Sequence, residues 1–197
     1  MQLIFATNNR HKVEEIKLSL PQTVSVISLK EAGIDIDIPE PFDTLEENAR
    51  EKGRTISKLT NQNCFSEDTG LEVEALHGAP GVYSARYAGP ENSSEKNIEK
   101  LLTELGDASN RKAQFRTVIF LVLNNEEYYF EGICTGQVTS SPIGSSGFGY
   151  DAIFIPDGAS KSFGEMTMTE KNVWSHRQKA MNKLVTFLNQ KSLNSTT

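Results

Sequence analysis

The chain has 197 residues, of which 23% are charged and 37% hydrophobic, a composition typical of one globular domain with a sizeable core. The formal net charge of −6 disfavours stable nucleic-acid binding, which depends on phosphate neutralisation by Lys and Arg. Cys64 and Cys134 are too few for a disulfide framework or a thiolate metal site, and we expect both to be buried thiols. No apolar run reaches membrane-spanning length and no signal peptide is recognisable, so we expect no membrane association and a cytoplasmic protein.

The N-terminal region predicts a strand, a helix and a second strand. Short apolar runs at 3–6 and 24–29 predict the strands. Between them, Val13, Ile16 and Leu20 recur at the spacing of one helix face. This order is typical of an α/β protein.

The next region predicts a capped helix followed by extended chain. Thr44 and Glu47 match the capping box, in which a Thr at the N-cap is followed three residues later by Glu. The sequence CFSEDTGLEV, residues 64–73, predicts a strand, a turn and a second extended piece. Residues 77–94 form a Gly- and Pro-rich loop, and loops of this length in small domains are often functional.

The second half of the chain predicts a helix, a hairpin, a glycine-rich loop and a final helix. The helix covers 94–105, and two β-rich runs within 113–139 flank the turn NNEE. The glycine-rich loop 140–151 leads into the short strand AIFI, and the last helix is expected at 175–189. These elements predict a mixed β-sheet flanked by helices, forming one domain over residues 1–191 with a frayed tail at 192–197.

The segment TNNRHK, residues 7–12, has features of a phosphate-binding turn. It joins a strand to a helix, and the free N–H groups and positive dipole end of a helix N-terminus favour phosphate. Lys12 would add a full positive charge. The alternative is that Asn8 or Asn9 only caps the helix while Lys12 is solvated. The candidate phosphate-binding residues are Thr7, Asn8, Asn9, Arg10, His11 and Lys12.

Acidic residues supply a candidate metal site. Mg²⁺ takes oxygen ligands, usually one or two carboxylates with water and substrate phosphates, and Asp68 could also accept a proton from water. The alternative for Asp68 is an Asx turn ahead of Gly70. Thr69 could bond a phosphate, and Glu40, in a Pro-flanked loop, is a candidate second ligand. Glu47 is better explained as part of the helix cap.

The loop GFGYD, residues 147–151, offers contacts for an aromatic base. Phe148 or Tyr150 could stack on a base, and Gly147 and Gly149 could open backbone donors to its edge. The alternative is a tight turn with buried rings.

Basic residues surround the predicted start of the last helix. Lys171 precedes it, and His176 and Arg177 lie in its first turn, where positive charge opposes the helix dipole. An anionic or carbonyl-rich ligand would offset that cost. The alternative is a structural or surface role for these side chains.

Four segments, in chain order, resemble the signatures of the inosine triphosphatase-like family of purine nucleoside triphosphate pyrophosphatases. They are ATNNRHK, SEDTGLEVEALHGAPGVYSARYAG, GFGYDAIF and EKNVWSHR, and the resemblance extends over residues 3–188. It implies an elongated α/β fold with two lobes around a central substrate cleft, usually as a homodimer. It also implies Mg²⁺-dependent hydrolysis of ITP, dITP and XTP to the monophosphate and pyrophosphate, which removes deaminated purines from the nucleotide pool.

The resemblance also implies roles for individual residues. Asp68 corresponds to the proton acceptor and metal ligand, and Glu40 to a magnesium ligand in some members. The positions that correspond to substrate-binding residues are Thr7 to Lys12, Thr69, Phe148, Gly149, Tyr150, Asp151, Lys171, His176 and Arg177. Two departures are visible, since many relatives have Asp where this chain has Glu67 and Pro where it has Ala152.

Three other functions are compatible with parts of the pattern. A general nucleotide pyrophosphatase would use the same phosphate site without preference for a base. A nucleotide-binding sensor would keep the pocket without turnover, but it would not need the water-orienting Asp68. A nucleic-acid-binding protein is disfavoured by the net negative charge.

Overall fold

The computed structural model describes residues 1–17, 20 and 24–194, with side chains to Lys191. Of the tail predicted to fray, residues 195–197 therefore lie outside the described part. Among the described residues, no helix is both long and apolar enough to cross a bilayer.

Strands and helices alternate through the first half of the chain, and a β-hairpin follows. The strands are β1 (Gln2–Phe5), β2 (Ser25–Ser28), β3 (Cys64–Val73), β4 (Lys112–Leu123), β5 (Glu126–Val138) and β6 (Phe154–Pro156). The helices are α1 (Arg10–Lys17), α2 (Leu45–Thr60), α3 (Ser94–Leu105), α4 (Met168–Trp174) and α5 (His176–Asn194).

The strands form one mixed sheet in the order β2-β1-β3-β4-β5-β6. Strand β1 is parallel to both β2 and β3, whereas β5 and β6 are antiparallel. The register places Phe5 opposite Phe65, and their rings stack with centroids 4.5 Å apart. The predicted α/β class with a mixed sheet is confirmed.

The hairpin turn between β4 and β5 follows from its two asparagines. Asn124 and Asn125 have φ angles of 52° and 66°, and two successive positive φ values are typical of a two-residue type I′ turn. Asparagine tolerates this left-handed region better than most residues. The predicted hairpin is confirmed, with a shorter turn than the four-residue NNEE.

Helix caps account for most of the helix boundaries. The Thr44 side chain accepts a hydrogen bond from the Glu47 N–H, which confirms Thr44 as the N-cap, while the Glu47 carboxylate accepts from the Thr44 hydroxyl rather than completing the predicted capping box. Helix α4 was not expected, although Thr167 and Glu170 form a capping box at its start. The predicted helix at 175–189 instead covers His176–Asn194.

Contacts between Cα atoms divide the chain into two units. Unit 1 comprises Met1–Asp68, Thr117–Gly132 and Arg177–Thr197, and unit 2 comprises Thr69–Arg116 and Ile133–His176. The described core of unit 1 is mainly aliphatic around the Phe5–Phe65 stack, and includes Leu3, Ile16, Ile119, Leu121, Met181 and Leu184. The described core of unit 2 has more aromatic residues, and includes Leu71, Leu101, Phe115, Phe154 and Phe163. The predicted buried thiols are confirmed, Cys64 in unit 1 and Cys134 in unit 2.

Gly53 allows helix α2 to pack closely within unit 1. A Cβ at this position would lie 2.4 Å from Phe120 Cδ1 and 3.0 Å from Ser66 Oγ. In an exposed helix Gly→Ala is stabilising, but overpacking a core costs about 1–3 kcal/mol. We therefore expect Gly53→Ala to lower the free energy of unfolding by about 1–3 kcal/mol in urea denaturation. Lys58→Ala, an exposed change on the same helix, should stay within about 0.5 kcal/mol of wild type, and a stabilised Gly53→Ala would contradict the packing.

Candidate active site

The order of the parallel strands creates a position suited to ligand binding in unit 1. The chain passes from β1 through α1 to β2 on one side, and then through α2 to β3 on the other side of β1. Open α/β sheets bind ligands at such a switch point, beyond the carboxyl ends of the strands. Residues Thr7–Lys12 follow β1, while Glu67 and Asp68 lie just past the Phe5–Phe65 pair. The fold thus brings the predicted phosphate-binding segment and the acidic segment to the same edge of the sheet.

The turn after β1 is held by its own polar side chains. The Asn9 Oδ1 accepts a hydrogen bond from the Lys12 N–H at 3.2 Å, and the Thr7 Oγ1 accepts one from the Asn9 N–H at 3.1 Å. Asn8 Nδ2 donates to the Ile36 carbonyl at 3.1 Å. Asn9 therefore caps α1, as the alternative interpretation held. That interpretation was wrong about Lys12, which is mostly buried and ion-paired rather than solvated.

Arg10 and His11 face outward from the start of α1, as Asn8 and Asn9 do from the turn before it. Both are exposed, and Arg10 pairs with Glu14 at 2.8 Å on the surface of α1. Exposed ion pairs of this kind contribute little to stability. Lys12 is therefore the residue of the segment whose charge is directed into unit 1.

Four charged side chains form a buried network in unit 1. Arg177 Nε and Nη2 donate to the two Glu67 carboxylate oxygens, each at 2.9 Å, and Nη1 donates to Glu15. Lys12 Nζ lies 3.2 Å from Glu67 Oε1. The Arg177 side chain is 3% exposed and Glu67 is fully buried, so two positive and two negative charges compensate each other out of water. Arg177, predicted to bind substrate, thus directs its Nε, Nη1 and Nη2 donors to Glu67 and Glu15 in this structure.

The network keeps its members charged. Burial alone would raise the pKa of Glu67, but Arg177 and Lys12 outweigh it and lower that pKa to about 2. Burial likewise opposes the charge on Arg177, and the two glutamates more than compensate, so its pKa is raised.

The lowered pKa of Glu67 has a consequence for stability. Its pKa of about 2 lies below the ordinary value of 4.5, so its contribution is complete above 4.5 and is lost as pH falls toward 2. In urea denaturation, wild type should therefore lose more stability between about pH 6 and about pH 3 than Glu67→Gln does. The exposed change Glu95→Gln should leave the wild-type pH dependence intact. Equal losses in wild type and Glu67→Gln would contradict the ion pairing.

A second charged group surrounds Lys52, also in unit 1. Lys52 Nζ donates to Glu40 Oε1 at 2.5 Å and to Asp68 Oδ1 at 3.0 Å. Asp68 Oδ2 is buried without a hydrogen-bond partner. Burial raises the pKa of Asp68 and Glu40 adds to the rise, although Lys52 and Lys12 oppose it. Asp68 is therefore a stronger base than an ordinary aspartate.

Lys52 was not predicted, although the sequence carries a signal for it. Residues Leu45, Ala49 and Ile56 lie at helical spacing on the buried face of α2, and Lys52 falls in the same stripe. A lysine on an apolar helix face needs a buried partner. Desolvation opposes its charge, but Asp68 and Glu40 outweigh that effect and raise the pKa of Lys52.

The turn predicted within the acidic segment is wrong, and so is the alternative Asx turn at Asp68. Strand β3 runs without interruption from Cys64 to Val73, so Asp68 lies within a strand and the predicted turn, including the Asx turn, is absent. The ladder hydrogen bonding of neighbouring strands overrides the local turn preference of Asp-Thr-Gly. Glu47 stays with Thr44 in the helix cap, as expected.

The acidic residues fit a magnesium ion only in combination with a ligand. Among the described residues, no group of three or more His, Cys, Asp or Glu side chains is arranged to hold a metal. Mg²⁺ is usually bound by one or two carboxylates together with substrate phosphates, and the unbonded Asp68 Oδ2 is a suitable donor. Glu40 is the second carboxylate near Lys52 and remains a prediction as a ligand.

In unit 2, the glycine-rich loop brings Asp151, Lys171 and Phe148 together. Asp151 Oδ2 accepts hydrogen bonds from Lys171 Nζ at 2.7 Å and from the Phe148 N–H at 2.9 Å. Lys171 Nζ lies 5.2 Å from the Phe148 ring centroid, within cation–π range. Phe148 is partly exposed, whereas Asp151 and Lys171 are buried. Of the two candidate stacking rings, Phe148 is therefore the accessible one.

Tyr150 and His176 are packed inside unit 2. Tyr150 is 3% exposed and its hydroxyl donates to the Ser84 carbonyl at 2.8 Å, and burial raises its pKa. The prediction that Tyr150 could stack on a base is therefore wrong, because its ring belongs to the core. His176 is also buried, and its ring stacks on Phe115 with centroids 4.7 Å apart.

Thr69, the predicted substrate-binding residue next to Asp68, is half-buried in β3.

One pocket among the described residues lies away from these groups. It has a volume of about 460 Å³ in unit 2 and is bordered by β3, β4 and β5 side chains such as Glu72, Gln114 and Gln137. None of its lining residues is a predicted site residue. This pocket therefore does not coincide with the candidate site.

The strand order and the buried lysine–carboxylate groups define an α/β protein with a charged site at the switch point of its parallel strands. The chain belongs to the Ham1 family, whose sequence model matches residues 3–187. It is similar to a dITP/XTP pyrophosphatase of Flavobacterium psychrophilum, with 47% identity over 95% of this chain and 98% of the relative. The corresponding protein of Porphyromonas gingivalis is 48% identical over 95% of this chain and 97% of its own length.

Solved structures agree with this assignment. The Ham1 protein of Staphylococcus aureus superposes with a TM-score of 0.88 at 39% identity, covering 97% of this chain and all of the other. A nucleoside-triphosphatase, named as a dITP/XTP pyrophosphatase, from Mycobacterium abscessus gives a TM-score of 0.77 at 36% identity, covering 94% of this chain and 99% of its own. The family resemblance inferred from the four motifs is confirmed.

Proposed function

We propose that this protein is a nucleoside triphosphate pyrophosphatase that hydrolyses ITP, dITP and XTP to the monophosphate and pyrophosphate. The observation that carries the proposal is the buried Asp68, whose Oδ2 has no partner and whose Oδ1 is held by Lys52. The relatives named as dITP/XTP pyrophosphatases match nearly the whole chain. A purely structural aspartate would gain from a second hydrogen bond at Oδ2, whereas a catalytic one needs that oxygen available for water.

The phosphates bind beside the N-terminus of α1. Lys12 supplies a positive charge there, and Thr7 and the first backbone N–H groups of α1 supply donors. In this structure Lys12 contacts Glu67, so a triphosphate shares that lysine with a fixed carboxylate. Asn8, Asn9, Arg10 and His11 are assigned to the same segment. Their exposed positions suit contacts with the outer, more solvated phosphates.

Magnesium is the cofactor that the donor set suits. Asp68 and Glu40 would hold it together with phosphate oxygens, and Glu47 is the alternative second carboxylate. When bound, Mg²⁺ would neutralise phosphate charge and make the α-phosphorus more open to attack. Lys52, which bonds both Asp68 and Glu40, fixes the two carboxylates in place before the nucleotide arrives.

Asp68 accepts the proton from the attacking water. Its Oδ2 orients one water molecule, the water oxygen bonds to the α-phosphorus, and the bond from that phosphorus to the bridging oxygen breaks. Pyrophosphate leaves with the bonding electrons, and the proton passes to Asp68. The raised pKa of Asp68 makes it better suited to this role than an aspartate with an ordinary pKa. Thr69, the next residue, contacts the substrate.

The base is recognised by residues of the glycine-rich loop and the α5 start. Phe148 stacks on the purine through the ring face that Lys171 does not cover, and backbone N–H groups of the loop donate to a 6-oxo group. Gly149, Tyr150 and Asp151 shape the loop. His176 and Arg177 stay predictions as substrate contacts, since here His176 stacks on Phe115 and Arg177 pairs with Glu67 and Glu15. A pocket that donates to the C6 carbonyl disfavours adenine, which presents an amino donor there.

A substrate comparison tests the proposal. Pure protein with Mg²⁺ is incubated with ITP, XTP, dITP, GTP and ATP, and pyrophosphate is measured separately from orthophosphate. Pyrophosphate chiefly from the first three nucleotides is expected. Equal turnover of ATP and ITP would instead indicate a general nucleotide pyrophosphatase. Binding without turnover would indicate a nucleotide sensor.

We further propose that the protein acts as a cytoplasmic homodimer, as the family resemblance implies. Light scattering after size-exclusion chromatography should give about twice the chain mass of 21.8 kDa. A monomer mass at micromolar concentration would contradict it.

A further inference from the structure

The glycine-rich loop of unit 2 is held from outside by a side chain on helix α3. The Gly149 N–H donates to Ser94 Oγ at 3.2 Å, across 55 positions of sequence. The preceding N–H, that of Phe148, donates to Asp151 Oδ2 within the loop. Two consecutive backbone donors on either side of the Phe148 ring are thus fixed by side-chain acceptors.

The backbone around Phe148 needs such restraint. Gly147 and Gly149 have φ angles of +77° and +61°, and glycine moves easily among conformations that other residues avoid. A Cβ on Gly147 would lie 2.0 Å from Asp151 Oδ2, so this glycine is required for the Asp151 contact. Without hydrogen bonds, a loop with glycine on both sides of the aromatic residue would sample several ring positions.

Ser94 is not needed to cap its own helix. Ser93 is the N-cap of α3, and its side chain accepts a hydrogen bond from the Lys96 N–H at 3.3 Å. The Ser94 hydroxyl, one residue later, instead accepts from the loop. Ser93 therefore caps helix α3, whereas Ser94 holds the glycine-rich loop.

We infer that Ser94 is a positioning residue for the purine: through the Gly149 N–H it holds Phe148 where the base stacks. The inference rests on the proposed function, because it assigns a role to the loop that binds the base. Ser94 itself does not contact the substrate. Its effect should therefore appear in KM for the nucleotide and disappear when the Phe148 ring is removed.

Ser94→Ala removes the acceptor and should raise KM for ITP by about 2- to 10-fold, the equivalent of one hydrogen bond, while kcat stays within about twofold of wild type. Ser94→Thr keeps a hydroxyl and should restore KM. Ser93→Ala is the matched control, since it removes the helix cap and should lower the melting temperature without changing KM.

A double-mutant cycle with Phe148→Ala separates positioning from a general structural effect. If Ser94 acts through the ring, adding Ser94→Ala to Phe148→Ala should leave KM nearly unchanged. A wild-type KM in Ser94→Ala, or the same KM increase with and without the Phe148 ring, would overturn the inference. The KM comparisons use whichever triphosphate the wild-type protein hydrolyses. A preference for ATP would contradict the proposed specificity, but the effect of Ser94→Ala on KM could still be measured with ATP.

Discussion

Asp68→Asn should lower kcat for ITP by about 10²- to 10⁴-fold, the range for loss of a general base, with a much smaller change in KM. The amide keeps the size of the side chain and can still accept a hydrogen bond from Lys52 through its oxygen. It cannot take a proton from water, so the loss falls on the chemical step. Steady-state kinetics with separate kcat and KM measure the effect, and a thermal melt confirms that the variant folds.

The pH dependence of kcat/KM in the wild type is a second test of the role of Asp68. Because the pKa of Asp68 is raised above its ordinary value of 3.8, the acid limb of kcat/KM should lie above that value. The rate should fall as pH decreases through the raised pKa, when Asp68 becomes protonated. Asp157→Asn, at an exposed carboxylate of unit 2, is the control and should keep both the rate and the profile. Near-normal turnover by Asp68→Asn would remove Asp68 from the chemistry.

Arg177→Met should lower the free energy of unfolding by about 3–5 kcal/mol, because it leaves two carboxylates buried without their principal partner. Glu67 would retain Lys12, whereas Glu15 would lose the contact with Arg177 Nη1. Urea denaturation at neutral pH measures the loss. Arg54→Met is a matched control, since Arg54 makes a comparable two-nitrogen contact with Glu127 on the surface and should cost at most about 1 kcal/mol.

Neutralising the stranded acids tests whether unpaired charge causes the loss. In the Arg177→Met background, Glu15→Gln and Glu67→Gln together should recover part of the stability, because buried ion pairs can be replaced by neutral groups at little cost. Activity should not recover with it, since Arg177 is assigned to the substrate site. If Arg177→Met alone lowered the free energy of unfolding no more than Arg54→Met does, the network would depend less on Arg177 than its burial indicates.

Much of the fold follows from local patterns in the sequence. Helix α3 has an apolar face, a serine N-cap and Gly106 at its end, so its predicted bounds of 94–105 are those observed. The hairpin follows from two asparagines between long β-rich runs. In these elements, local preferences and tertiary packing favour the same structure.

Other features depend on partners distant in sequence. Asp-Thr-Gly at 68–70 favours a turn, but pairing in the sheet keeps β3 extended through it. The contact of Ser94 with Gly149 joins residues 55 positions apart, and no local pattern indicates it. Lys52 could have been found, because its charge interrupts the apolar stripe of α2. Tyr150 could not be separated from Phe148 by sequence, since both are aromatic residues beside glycine and only packing distinguishes them.

Hydrolysis of ITP in water enriched in heavy oxygen tests most directly which phosphorus the water attacks. The reaction is run to partial completion, and the monophosphate and pyrophosphate are analysed by mass spectrometry. Attack on the α-phosphorus predicts heavy oxygen in the monophosphate and none in the pyrophosphate. Heavy oxygen in the pyrophosphate would place the attack on the β-phosphorus and contradict the proposed mechanism.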